Sequence, residues 1–135
     1  MKQGYLGADK YHNTPSYQNC NGVFAFSEIA PDLAEKCYQY FEQHLLPNGL
    51  WEMGSTAIEE TSYAVLAMSY YHQNVEPIDL EKLKPSVDFL LSNWTISYAE
   101  EWITKVQYSP IEIIQAQIFA ALVSYSKAHG MNFNF

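Results

Sequence analysis

Residues 49–68 read GLWEMGSTAIEETSYAVLAM, and two adjacent glutamates stand at the head of the apolar run. Thr56 precedes Glu59 by three residues, the capping-box spacing in which each side chain bonds the other residue's backbone N–H. Glu60 then falls in a first helical turn, where a carboxylate meets the positive end of the helix dipole. The spacing predicts a helix start, so Glu59 and Glu60 read as its cap rather than as a catalytic acid pair. The stretch that follows, SYAVLAMSYY (62–71), is apolar or small nearly all round, the pattern of a helix buried on most sides.

Four further segments carry helical periods. IIQAQIFAALVSYS (113–126) and the shorter NGVFAFSEIA (21–30) resemble 62–71 and predict buried helices. Segments 32–46 and 79–94 are amphipathic. Leu33, Cys37, Tyr40, Phe41 and Leu45 form one stripe; Leu80, Leu83, Val87, Leu90, Leu91 and Trp94 form the other. Asp32 and Asp79 are placed as helix starts, and Pro85 moves the second start towards Lys84. Glu100 and Glu101, ahead of Trp102, read as surface charge at a further helix start. The buried segments also align with one another: Val23, Val65 and Ile118 correspond, as do Ala25, Ala67 and Ala120, at offsets of 42 and then 53 residues. The expected fold is all-α, a partial α/α toroid of five alternating inner and outer helices; an irregular helical bundle is the alternative.

A chain of 135 residues is read as one helical domain, 1–135. Its net charge is −8 and its seven basic residues are all lysines, which argues against nucleic acid as a partner. No run reaches the roughly 18 apolar residues of a membrane span, and the N-terminal residues lack the apolar centre of a signal peptide. The chain is therefore expected to be cytoplasmic and not transmembrane, and the Asn93-Trp94-Thr95 sequon to be incidental. Cys20 and Cys37 are expected as buried, reduced thiols. His44, His72 and His129 share no ligand spacing with each other or with carboxylates, so no metal site is expected.

Three blocks, DKYHNTPSY (9–17), LPNGLWEMGSTAIEETSYAVLAM (46–68) and EWITKVQYSPIEIIQAQIFAAL (101–122), resemble the C-terminal part of bacterial class II terpene cyclases. The nearest subgroup is the diterpene cyclases acting on geranylgeranyl diphosphate, relatives of squalene–hopene cyclases. The blocks occur in the family's order. The resemblance implies an α/α barrel with an aromatic cavity, where a prenyl chain is protonated and π faces stabilise the resulting cations. It implies isomerase-type chemistry in terpenoid biosynthesis. The family's proton donor is an Asp-x-Asp-Asp motif upstream of the first block, and these residues contain none; nor is there an Asp-Asp-x-x-Asp. Leu45 stands where the repeat usually has Gln, Tyr11 where the first block tends to have Trp, and Gln115 where the third often carries Arg.

On that resemblance Tyr11, Tyr17, Trp51, Tyr63 and Tyr108 are the candidate cavity aromatics; core packing is the alternative for each. His12 and Lys105 are candidate polar contacts, Lys105 towards a diphosphate. No residue here is assigned as catalytic. No cofactor is expected in the chain itself, with Mg2+ accompanying a diphosphate substrate. Two functions follow: a cyclase segment that acts on a prenyl diphosphate only with a complementary cyclase half or as a homodimer, or a non-catalytic helical binding or assembly module. A fragment without an independent role is the third reading. Apolar inner helices that do not close a ring leave apolar faces open, which predicts a partner.

Overall fold

Pro15 and Pro31 open the first two helices in a computed structural model that describes residues 4–7, 14–52, 56–95, 102–103, 107–108 and 110–130. Helix α1 spans Ser16–Phe26 and α2 Pro31–His44, with Pro31 in the first turn, where its missing N–H costs nothing. Helix α3 spans Ala57–Asn74. A 3-10 turn over Leu80–Leu83 leads into α4 (Lys84–Asn93), and α5 covers Ile111–Ala128. Between α4 and α5, Trp102–Ile103 (β1) pairs antiparallel with Gln107–Tyr108 (β2). The described fold is all-α apart from this two-residue ladder. None of its helices is long and apolar enough to cross a membrane.

Helix α3 is the centre of the molecule. Its small residues Ala57, Ser62, Ala64, Ala67 and Ser69 are buried and let neighbours approach on every side. Helices α1 and α5 flank it, α2 lies against α1 and α3, and α4 packs on α3. The odd-numbered helices thus form a row with the even-numbered ones laid against it. Ile58, Val65, Met68, Phe41, Leu83 and Leu90 are fully enclosed. Cys20 and Cys37 are buried free thiols, as expected.

The connection from α2 to α3 is fixed by specific bonds. Gly49 adopts φ +82°, where a side chain is strained, and a Cβ there would lie 2.8 Å from Pro85 Cβ. Ser86 Oγ donates to the Gly49 carbonyl at 2.5 Å, and Trp51 Nε1 donates to the Phe41 carbonyl at 2.6 Å. This loop therefore clamps the end of α2 to the start of α4.

Several expectations need correction. Helix α1 begins at Ser16 rather than near Asn21, because the polar Asn19 is buried and bonded to chain outside the helix. Its Nδ2 donates to the Leu6 carbonyl at 2.7 Å, and its Oδ1 accepts from Leu6 N at 3.0 Å. The capping box at α3 does not form: Thr56 has helical torsions and makes no side-chain capping bond, while Glu59 and Glu60 turn into the protein. Asp32 lies within the first turn of α2 instead of capping it. Asp79 does cap its element, accepting from Glu81 N at 3.1 Å. Trp102 opens a strand and not a helix; Glu100 and Glu101 lie outside the described residues. Helix α5 buries only the stripe Ile114, Ile118, Ala121 and Tyr125, whereas Ile111, Ile113 and Phe119 are more than half exposed. An all-round apolar pattern there does not mean all-round burial.

Candidate functional site

The first turn of α3 gathers the fold's buried acid chemistry. Glu59 and Glu60 are 2% and 1% exposed, far below the norm for carboxylates. The Tyr63 hydroxyl, one turn along α3, donates to Glu59 Oε1 at 2.5 Å. The Thr14 hydroxyl, just ahead of α1, donates to Glu60 Oε1 at 2.6 Å. Beside them Ser16 Oγ and the Tyr40 hydroxyl share a buried hydrogen bond of 3.0 Å. Charge-assisted bonds of this kind, together with the positive end of the α3 dipole, are what make buried carboxylates tolerable. Burial, reinforced by the charge of Glu60, pushes the Tyr40 hydroxyl up to about 12, although its bond with Ser16 acts the other way. Tyr40 is thus a neutral hydrogen-bonding group at physiological pH.

Aromatic rings surround this turn. Tyr17 meets Tyr63 edge to face, with centroids 5.7 Å apart. Tyr5 packs edge-on against Tyr40 at 4.9 Å, and Tyr40 stacks on His44 at 4.3 Å. His44 Nδ1 donates to the Tyr40 carbonyl at 2.7 Å, which fixes the ring. The arrangement offers hydroxyl donors, carboxylate acceptors and π faces in one place. Among the described residues, no three His, Cys, Asp or Glu side chains converge as a metal site.

The candidate aromatics divide. Tyr17 and Tyr63 come together at this turn. Trp51 is 4% exposed, its indole committed to the Phe41 carbonyl. Tyr108 lies in β2 opposite Trp102. Tyr11, His12 and Lys105 lie outside the described residues. Sequence reasoning missed Thr14 as the partner of Glu60, and the Ser16–Tyr40 pair beside it. Tyr40 was legible only as one member of an apolar stripe, and nothing in the sequence marks a contact 46 residues apart.

A second feature lies on the opposite end of the row. Leu91 of α4, Trp94 just past its end, and Gln115, Ile118, Phe119 and Leu122 of α5 line an open apolar groove of about 290 Å³. It continues past Val87, Val123 and Tyr125 into a depression of about 480 Å³. None of Tyr17, Trp51 and Tyr63 lines either space. Compared with models of known protein families the chain matches none, and no curated protein matches it.

Proposed function

We propose that the chain is a helical segment of a class II terpene cyclase-like assembly, a partial α/α toroid completed by helices from outside these residues. On this reading it contributes aromatic surface around a prenyl diphosphate such as geranylgeranyl diphosphate. The protonating Asp-x-Asp-Asp acid comes from elsewhere in the assembly, and the chain alone is inactive. Mg2+ accompanies the diphosphate, and Lys105 is the candidate cation that the resemblance offers towards it. The observation carrying the proposal is α5: a long apolar helix covered along a single stripe, at the open end of the row α1–α3–α5. That is what an inner helix lacking its next neighbour would look like. Coexpression with a chain bearing the acid motif and the upstream helices is expected to give a complex that cyclises geranylgeranyl diphosphate, read by mass spectrometry of the dephosphorylated products. A correctly assembled but inert complex would overturn it.

The competing reading, a non-catalytic helical binding or assembly module, is favoured by a different observation. Trp51 and Tyr63 both spend their polar atoms on internal hydrogen bonds and are buried in the isolated fold. It predicts the same assembly without product.

A further inference from the structure

We propose that the outer face of α5, continued by Leu91 of α4 and by Trp94 just past its end, pairs with the same face of a second copy of this chain about a two-fold axis near Phe119. It takes the same open face of α5 that the proposed function leaves for helices from outside these residues and names a second copy of this chain as what covers it, whatever reaction the assembly performs. Leu91, Trp94, Ile111 and Phe119 are 50–57% exposed. At roughly 100 Å² for each half-exposed large side chain, and with Leu122 and Val123 beside them, the face offers on the order of 500 Å² of apolar surface. A stable homodimer buries about 800 Å² per partner, about 65% of it apolar. The apolar part of such an interface is therefore already present.

Charge selects a second copy over other occupants. The chain carries −8 overall, so two copies repel on most faces. On the groove's rim, however, Lys84 Nζ meets both Asp88 carboxylate oxygens at 2.6 and 2.7 Å, which neutralises the pair. Along α5, Glu112 sits in the first turn and Lys127 in the last, both exposed, with Phe119 midway between them. Spacings of 7, 4 and 4 residues keep Glu112, Phe119, Val123 and Lys127 on one helical face. A two-fold axis at Phe119 makes the two α5 helices antiparallel. It brings Glu112 of each copy beside Lys127 of its partner and sets the helix dipoles in opposition. The surface is self-complementary in the sense an isologous interface requires.

Light scattering behind size exclusion at micromolar concentration tests this on the full chain. The expected mass is twice the 15.5 kDa of one chain. Phe119→Lys, at a half-exposed helical site where lysine is well tolerated, should weaken dimerisation at least about 30-fold, as loss of a central aromatic anchor does. Glu112→Lys or Lys127→Glu alone should each weaken it several-fold, and the double swap should restore it. Ile29→Lys, 81% exposed in the turn between α1 and α2, should leave the dimer intact. Circular dichroism checks that each variant is folded. A monomeric wild-type chain, a dimer indifferent to Phe119→Lys, or a folded double swap that stays as weak as the single variants would each overturn the proposal. A monomer that pairs only with a different chain would do so as well. Product formation is not the readout, so failure here and failure of the cyclase reading are separable.

Discussion

Gly22 marks how closely α1 and α2 approach. A Cβ at that position would lie 2.6 Å from Cys37 Sγ and 3.0 Å from Leu6 Cδ1. Gly22→Ala is therefore expected to cost about 1–3 kcal/mol through overpacking. In a Cys37→Ala background the Sγ is gone and the penalty of the glycine substitution should shrink markedly, as a double-mutant cycle of chemical denaturation would read. The same penalty in both backgrounds would locate the strain elsewhere. Tyr63 offers a second test at this scale. Tyr63→Phe preserves the ring but removes the hydroxyl that meets the buried Glu59 carboxylate, and a loss of about 2 kcal/mol is expected. An unchanged melting temperature would mean that this bond contributes nothing to the isolated fold.

At the scale of elements, α2 is held to α1 and α3 through side chains that must stay neutral. Burial pushes the Cys37 thiol up to about 11 from an ordinary 9.0, and the Tyr40 and Tyr71 hydroxyls up to about 12 from 10.0. Tyr38, stacked on Tyr71 and donating to Glu42, is raised by burial first and by Glu42 second. Lys82 of the 3-10 turn pairs with the same Glu42 carboxylate and ties that turn to α2. The sign is definite. A folded pKa above the unfolded one gives stability that is complete below the unfolded value and is lost as pH rises through the folded value. The urea midpoint should therefore fall between about pH 9 and 12, beginning with Cys37 and continuing with the tyrosines. Thiol reagents at pH 8 should leave native Cys20 and Cys37 untouched and label them after unfolding; labelling at the unfolded rate would contradict their burial. Hydrogen exchange should be slowest along α3, which is packed on all sides, and faster along α5, which is covered along one stripe.

For the whole molecule, stability and association are linked. If the α5 face pairs with a second copy, the melting temperature rises with protein concentration, because only the folded chain dimerises. Scanning calorimetry over a hundredfold concentration range is expected to show that rise for the wild-type chain and to lose it in Phe119→Lys. Moderate salt should strengthen the dimer, since screening reduces repulsion between two chains of −8 more than it weakens the two peripheral ion pairs.

Hydrophobic period alone determined the helical character of this chain, the positions of α2 through α5 within a few residues, and the central burial of 62–71. Those properties are local, because a helix presents residues i, i+3 and i+4 on one face whatever else is present. Tertiary structure decided the rest. Ser16–Phe26 is helical because Asn19 finds Leu6, and a polar stretch carries no period that reveals such a partner. Glu59 and Glu60 are interior groups and not surface caps; Thr14 reaches Glu60 from 46 residues away, and burial together with the Glu60 charge holds the Tyr40 hydroxyl of another helix neutral. The sequences of α3 and α5 are almost equally apolar, yet one is enclosed and the other lies open along most of its surface. Periodicity reports which faces avoid water; only the arrangement of the other helices settles which of those faces are covered.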